Sequence, residues 1–175
     1  MSSDRDRRQR LEAIAEEVFE PLQRYLRRRA TRADAEDALA DVMLIVWRRI
    51  DDAPSDRVLA WCYGIARRAL ANQRRSQHRH LRLVQRMESQ PRPTAAPDPA
   101  DSGPDPELAE ALASLSDDDQ EVLRLWAWEQ LGPRDIAPVL GVSVNAATLR
   151  LGRARARLAE SLSRQNPWRA GHEAG

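Results

Sequence analysis

Arginines and aromatic residues are the side chains of this sequence with the clearest potential for binding chemistry. All 28 of its basic residues are arginine. A guanidinium group binds phosphates and base edges through paired N–H donors, and aromatic rings stack on unpaired bases. Trp61 and Tyr63 precede a helical face that carries Arg68, Arg75, Arg79 and Arg82. This pattern predicts a surface for single-stranded nucleic acid, although Trp61 as a core residue and arginines that only solvate a helix remain an alternative.

A second basic segment lies near the carboxyl end of the sequence. Arg150, Arg153 and Arg157 recur three and four residues apart, with Arg155 beside them. A short predicted helix over 133–140, the turn at Gly141 and this longer helix have helix-turn-helix spacing. The residues expected to pack the two helices together are Ile136, Ala137, Leu140, Val144, Ala147 and Leu151. Asn145 and Thr148 would then reach base edges in a major groove, whereas the alternative is a helical hairpin with a solvated charged face.

A third group of residues is acidic. Asp34, Asp37 and Asp41 lie with Leu44 on the helical face opposite the apolar face of their segment. Carboxylates around an exposed leucine suit a basic protein partner. The alternative is that acids near a helix start only interact favourably with the helix dipole.

The sequence contains little that could support catalysis. It has one cysteine, Cys62, and three histidines, at 78, 80 and 172, without zinc-binding spacing, a glycine-rich phosphate loop or a nucleophile constellation. We therefore predict a protein that is not an enzyme and uses no metal or cofactor. The polar first residues and the short apolar run from Val42 to Trp47 predict no signal peptide and no membrane insertion, hence a cytoplasmic location.

The hydrophobic periodicity predicts an all-α fold with two small helical domains. Helices are expected over 11–29, with Pro21 kinking or splitting it, over 31–50 with a cap at Thr31, and from about 57 through 82. Four more are expected over 107–114, 117–129, 133–140 and 144–163. A proline-rich segment separates the first three predicted helices from the last four. Residues 93–110, which include most of it, hold five acids and no base, and this composition predicts a flexible linker. The predicted organisation is a domain over 11–85, a linker over 86–106, a domain over 107–163 and a tail over 164–175.

Taken together, three segments resemble the extracytoplasmic-function group of sigma-70 factors. The stretch from Asp34 to Arg48 resembles region 2.2 of that family, and Trp61-Cys-Tyr-Gly-Ile-Ala-Arg67 resembles regions 2.3 and 2.4. Residues from Leu112 to Leu123 and from Ile136 to Arg155 resemble region 4. The resemblance covers about residues 15–82 and 107–162. It implies an alternative sigma factor that directs core RNA polymerase to promoters.

The resemblance also implies site residues and partners. Contacts to the beta and beta-prime subunits of core polymerase would be made by Asp34, Glu36, Asp37, Asp41, Leu44, Trp47 and Arg48. The −10 element, melted to single strands, would be bound by Trp61, Tyr63, Arg67, Arg68, Asn72, Arg74 and Arg75. The double-stranded −35 element would be bound by Ser143, Asn145, Ala146, Thr148, Leu149, Arg150, Arg153 and Arg155. An anti-sigma factor is an expected further partner.

Several positions depart from the family pattern. Arg68 stands where an asparagine commonly lines the base pocket, and Asn72 replaces a frequent aspartate. Asn145 and Ala146 replace a common Gly-Thr pair, so the −35 preference is expected to differ. The rival interpretation is a response-regulator-like or other helix-turn-helix regulator. A response regulator would need a βα receiver pattern before the linker, and residues 1–90 show none.

Overall fold

The chain folds into α-helices that form two compact units. A computed structural model describes residues 4–87 and 105–165, and within these ranges there are seven α-helices and no β-strand. The division between the units falls between Asp98 and Pro99. The all-α prediction with two helical domains is confirmed. Most of the predicted linker over 86–106 and nearly all of the predicted tail over 164–175 lie outside the described residues.

Three helices and one short 3₁₀ helix build the first unit. They are α1 (Asp4–Arg27), α2 (Arg32–Arg48), the 3₁₀ helix Ile50–Asp52 and α3 (Val58–Met87). Each of the three α-helices packs on the other two. The predicted apolar face of α2 is buried throughout, namely Ala35, Ala38, Leu39, Val42, Val46 and, beyond its end, Ile50. The hydrophobic periodicity thus identified the core face of this helix.

The first helix is longer than predicted and continuous across its proline. It begins at Asp4 rather than near residue 11, and Pro21 lies inside it without splitting it. Proline in a helix interior removes one backbone hydrogen bond. Val18, Leu22 and Tyr25 on either side of Pro21 are fully buried against the other helices. Burial of these side chains offsets the lost bond, so the helix continues.

The start of α2 is capped as the sequence predicted. Thr31 is the N-cap, and its hydroxyl oxygen accepts a hydrogen bond from the Asp34 backbone N–H at 3.3 Å. The same hydroxyl donates to the Asp34 carboxylate at 2.8 Å. The helix ends at Arg48, two residues before the predicted end, because the chain tightens there into the 3₁₀ helix.

The second unit contains α4 (Pro106–Ala113), α5 (Asp117–Ala127), α6 (Pro133–Leu140) and α7 (Val144–Gln165). The last helix packs on all three others. Its buried side chains are Ala147, Leu151, Ala154 and Ser161, and the Ser161 hydroxyl is hydrogen-bonded to that of Ser114 at 2.9 Å. The long helix α7 is therefore the element that organises this unit.

The described helices differ from membrane spans in length or in composition. None of them is both long and apolar enough to cross a bilayer.

Candidate nucleic-acid interface

The helix α3 has a packed half and an exposed half. Residues Cys62, Ile65, Ala66, Ala69 and Leu70 are buried in the first unit. From Ala71 to His80 every residue is exposed except Gln73, which is half-buried. The exposed half contains no acidic residue, so its charge is set by arginine.

The exposed arginines of α3 form one row. Arg68, Arg75, Arg79 and Arg82 are all exposed, and helical geometry puts them on the same side. We refer to these four residues as the α3 arginine face. The four arginines that the sequence placed on one helical face are thus exposed in the structure.

Three hydrogen bonds fix the exposed half of α3 to the rest of the unit. The Arg74 guanidinium donates to the Arg29 carbonyl at 2.9 Å. The Gln73 side chain donates to the Asp34 carbonyl at 3.3 Å, and the Gln77 side chain donates to the Asp34 carboxylate at 2.9 Å. The helix therefore leaves the core in a defined direction, which orients the α3 arginine face.

The two aromatic residues at the start of α3 occupy different environments. Trp61 is half-buried, and the Arg49 guanidinium lies over its ring at 5.8 Å from the centroid. Tyr63 is only 2% exposed, and its ring packs on Tyr25 with centroids 4.9 Å apart. This position contradicts the prediction that Tyr63 stacks on unpaired bases, because a ring enclosed in the core offers no face to a nucleotide. Trp61 keeps an accessible surface.

The remaining predicted −10 residues lie along the same helix. Arg67 is half-buried, whereas Asn72, Arg74 and Arg75 are exposed. The Asn72 side-chain oxygen accepts a hydrogen bond from Arg75 at 2.6 Å. Arg68, Asn72 and Arg75 therefore lie together on the exposed side, while Arg74 is hydrogen-bonded to the segment between α1 and α2.

The predicted acidic face of α2 is divided by the structure. Asp37, Asp41, Leu44 and Arg48 are exposed, and Leu44 exposes 46% of its surface. Asp34 is instead half-buried and accepts hydrogen bonds from Thr31 and Gln77. Its carboxylate joins α2 to α3 through Gln77 and so stabilises the packing of these helices. We call the four exposed residues the α2 face.

Two further predicted α2 residues contact other side chains. Glu36 pairs with Arg32 at 3.0 Å, one turn before it on the same helix. Trp47 is half-buried, and the Arg7 guanidinium lies over its ring at 5.3 Å from the centroid. No local sequence pattern pairs Arg7 with Trp47, because 40 residues separate them.

The helix-turn-helix of the second unit consists of α6, the turn at Gly141 and α7. Gly141 is in the left-handed conformation with φ 68°, which costs glycine little, and Val142 N–H closes the turn on the Ala137 carbonyl at 3.0 Å. Ile136, Ala137, Ala147 and Leu151 are buried, as predicted, and Leu140 is half-buried. Val144 is 44% exposed, contrary to its predicted packing role, because it is the first residue of α7 and precedes the packed turn. Val139, which the prediction omitted, is buried instead.

Most predicted −35 residues are exposed on α7. Ser143, Asn145, Leu149, Arg150 and Arg153 are exposed, and Ala146 is half-buried. The Ser143 hydroxyl caps the helix by accepting from the Ala146 N–H at 3.1 Å. Leu149 exposes 50% of its surface, which is large for a leucine. A helix start with exposed asparagine, leucine and arginine can contact both base edges and phosphates.

Two predicted −35 residues lie on the flank of α7. Thr148 and Arg155 line a groove of about 800 Å³ with Trp126, Gln130 and Gly152. The Arg155 guanidinium lies over the Trp126 ring at 4.7 Å from the centroid, and the Thr148 hydroxyl donates to the Val144 carbonyl at 2.9 Å. Both side chains make contacts within the unit and are also exposed.

Asp119 and Arg157 form a pair that the sequence analysis missed. The Arg157 guanidinium donates to the buried Asp119 carboxylate at 2.5 Å and joins α7 to α5. The two residues are 38 positions apart, so no local pattern indicated the pair. Arg157 therefore contributes to packing within the second unit, unlike Arg150 and Arg153.

The one cysteine is not a reactive site. Cys62 is fully buried, and burial, reinforced by the negative charge of Glu17, raises the pKa of its thiol to about 12. Among the residues described, no group of three or more histidine, cysteine, aspartate or glutamate side chains could hold a metal ion. The described surfaces are suited to binding nucleic acid and protein.

Comparison with known families gives two matches that follow the division into units. The model for "Sigma-70 region 2" matches residues 14–80, and the model for "Sigma-70, region 4" matches residues 106–158. The RNA polymerase sigma factor CnrH of Cupriavidus metallidurans is 31% identical over 144 residues, which cover 74% of this chain and 73% of CnrH.

Two solved structures resemble the chain. The sigma factor RpoE from Bartonella quintana, solved with the anti-sigma factor NepR, has a TM-score of 0.64 and 25% identity, covering 87% of this chain and 96% of RpoE. CnrH solved with the cytosolic domain of CnrY has a TM-score of 0.58 and 24% identity and covers 87% of each chain. At 24% identity, the likeness to the CnrH structure supports the assignment of the fold.

Proposed function

Because this chain belongs to the sigma-70 family, as an extracytoplasmic-function sigma factor, we propose that it recruits core RNA polymerase to promoters through the surfaces described above. Sigma factors of this kind act in transcription initiation. The proposal concerns which residues of this chain bind which partner.

The observation that carries the proposal is the row of exposed arginines on α3. The α3 arginine face continues a helix whose first half is packed in the core, and no acid interrupts it. Guanidinium groups on a fixed helix bind phosphates along a strand, while a partly exposed ring beside them stacks on a base. This arrangement favours a role in holding the melted −10 element.

We assign the −10 contacts to Trp61, Arg67, Arg68, Asn72 and Arg75. Trp61 would stack on an unpaired base, because part of its ring surface is accessible. Arg68, Asn72 and Arg75 would contact the strand as a group, since their side chains lie together on the exposed side of α3. Arg74 would position the helix through its hydrogen bond to Arg29 and add a positive charge near the strand.

The −35 contacts are assigned to the start of α7. Asn145 would contact base edges of the duplex, and Arg150 and Arg153 would contact phosphates. Leu149 would pack against an apolar group in the major groove, such as a thymine methyl. Thr148 and Arg155 would shape the flank of the helix, because each is already engaged with neighbouring groups of the unit.

The polymerase contact is assigned to the α2 face. Asp37 and Asp41 flank the exposed Leu44, so a basic partner surface would find charge complementarity around an apolar centre. We propose that this partner is the beta-prime or beta subunit of core polymerase.

Regulation and location are proposed from the relatives. RpoE and CnrH were each solved with a bound partner, an anti-sigma factor in the case of RpoE. We propose that an anti-sigma factor likewise binds this chain and that the protein acts in the cytoplasm, where core polymerase is found. Residues 86–106 would link the two promoter-binding units, over 11–85 and 107–163.

Run-off transcription tests the proposed function directly. Purified core polymerase would transcribe a library of genomic fragments with and without the full chain. We expect discrete start sites that depend on the chain. A variant in which Arg68, Arg75 and Arg79 are replaced by glutamine should lose these start sites. A matched control, in which the exposed α1 residues Arg5, Arg8 and Arg24 are replaced by glutamine, should keep them. Equal transcription by both variants would refute the assignment of the α3 arginine face, and sequence-specific DNA binding without polymerase-dependent transcripts would favour a plain helix-turn-helix regulator.

A further inference from the structure

The first turns of α1 lie outside the stretch that matches region 2. That match begins at residue 14, whereas α1 begins at Asp4. Arg7 and Arg10, both in this early part of the helix, contact the end of α2 and the turn that follows it. Most of the core contacts of α1 come from later residues, from Ile14 to Leu26. The first turns of α1 therefore contact the end of α2 and its following turn without contributing much to the hydrophobic core.

Arg7 makes three contacts at the end of α2. Its guanidinium donates to the Trp47 carbonyl at 3.3 Å, pairs with the Asp51 carboxylate at 3.1 Å and lies over the Trp47 ring at 5.3 Å. The planar guanidinium allows all three at once.

The contact to the Trp47 carbonyl acts as a helix cap. The last four carbonyl groups of an α-helix have no partner within the helix, and Trp47 is the penultimate residue of α2. A cation at this end also interacts favourably with the helix dipole. Arg7 therefore supplies from α1 a donor and a charge that the end of α2 needs.

Arg10 holds the turn at a second point. Its guanidinium donates to the Ala53 carbonyl at 2.7 Å. Ala53 is buried, and Ile50 before it is fully buried. The segment between α2 and α3 is thus fixed at Trp47, Asp51 and Ala53 by two arginines of one helix.

We propose that Arg7 is a positioning residue for polymerase binding, which acts by fixing the last turn of α2. The proposal rests on the proposed function, in which the α2 face contacts core polymerase. Leu44 and Arg48 lie in that last part of the helix, next to Trp47. When the end of α2 frays, the two side chains lose their fixed spacing to Asp37 and Asp41, and the contact weakens.

The inference is tested by the affinity of the full chain for core polymerase. The Arg7→Ala variant should bind about fivefold more weakly, which is the range expected for exposed ion pairs and cation–π contacts. Arg8→Ala is the matched control, because Arg8 is on the same helix but pairs with Asp4 within α1. It should bind within twofold of the unchanged chain. The affinity of Arg7→Lys should lie between those of Arg7→Ala and the unchanged chain, because an ammonium group keeps the charge but cannot make all three contacts at once.

Two further readouts separate positioning from general stability. Circular dichroism at the assay temperature should show that all variants are folded, because fraying of one turn of α2 changes the total helix content only slightly. Transcription by Arg7→Ala at saturating core polymerase should equal that of the unchanged chain, since only the binding step is impaired. Arg7→Ala binding that matches Arg8→Ala, or that is tighter than that of the unchanged chain, would overturn the inference.

A separate variant distinguishes failure of the inference from failure of the proposed function. Asp41→Arg reverses a charge in the middle of the α2 face, at an exposed position that does not contact Arg7. If Asp41→Arg weakens core binding and Arg7→Ala does not, the α2 face stands and the inference fails. If neither variant weakens core binding, the α2 face does not contact core polymerase. The proposed polymerase-binding surface and the inference about Arg7 are then both wrong.

Discussion

At the residue scale, burial separates side chains that the sequence treated as equivalent. Trp61 and Tyr63 are two positions apart, so they point to different sides of α3. Tyr63 is in register with Ala66 and Leu70, three and seven residues further on, and all three are buried. That spacing was an available signal that Tyr63 belongs to the core. Trp61 remains the aromatic residue that can contact a base.

This difference predicts that substitution of Trp61 slows promoter melting, whereas a conservative substitution of Tyr63 does not. Trp61→Ala should slow open-complex formation about tenfold, since stacking on one base is worth about 1–3 kcal/mol. Tyr63→Phe keeps the packed ring and should remain within twofold of the unchanged chain. Stopped-flow fluorescence with a promoter labelled in the −10 element measures both rates. Melting by Trp61→Ala at the unchanged rate would contradict the stacking role.

Tyr63→Ala provides the complementary control. Removal of a buried aromatic ring costs about 3–5 kcal/mol, so this variant should unfold at markedly lower temperature than Tyr63→Phe. A stable Tyr63→Ala variant would mean that the ring is not part of the core.

At the element scale, the sides of α7 have distinct partners. Arg153 and Leu149 are exposed, Ala147 and Leu151 pack on α6 and its neighbours, and Arg157 pairs with buried Asp119 of α5. A helical row of arginines therefore includes members with different roles. The sequence spacing of three and four residues could not separate them, because the acid that pairs with Arg157 is supplied by a distant helix.

The two roles are distinguished by paired alanine substitutions. Arg157→Ala leaves Asp119 buried without this cation and should lower the free energy of unfolding of the second unit by about 1–2 kcal/mol, less than for a fully buried pair because Arg157 is itself largely exposed. Arg153→Ala should leave stability unchanged and reduce transcription from promoters that require the −35 element. Urea unfolding and run-off transcription at limiting core polymerase measure the two effects. The assignment would be wrong if Arg153→Ala destabilised the unit more than Arg157→Ala.

At the scale of the whole molecule, we propose that promoter recognition is divided between two units of one chain. The predicted linker over 86–106 has 21 residues, which would span about 70 Å when fully extended and average about 25 Å as a free coil. Two promoter elements two helical turns apart are separated by about 70 Å. A linker that behaves as a free coil would on average be much shorter than this separation, so we expect core polymerase to hold the two units at the required distance.

The free chain is therefore expected to bind promoter duplex weakly. Fluorescence anisotropy without polymerase should give dissociation constants in the nonspecific range, about 10⁻⁴–10⁻⁶ M, which increase steeply with salt. Addition of core polymerase should produce tight, sequence-dependent binding. Tight specific binding by the free chain would contradict the expectation that core polymerase is needed to position the two units.

The sequence by itself determined the all-α class, the bounds of most helices to within a few residues, and the helix-turn-helix. These features depend on local periodicity, on the cap at Thr31 and on the glycine at position 141, all of which act over a few residues. The resemblance to sigma factors was likewise carried by short motifs in a fixed order.

Only the tertiary structure decided which members of each motif are available to a partner. Tyr63 is buried against Tyr25, and the Asp34 carboxylate accepts a hydrogen bond from Gln77, so neither side chain is freely available. Arg155 stays exposed, but its guanidinium lies over the Trp126 ring. The continuation of α1 across Pro21 and the contacts of Arg7 with the end of α2 also depend on packing between helices. In each case the partner residue is distant in the sequence or lies on another helix, and a periodic pattern contains information only about the helix to which it belongs.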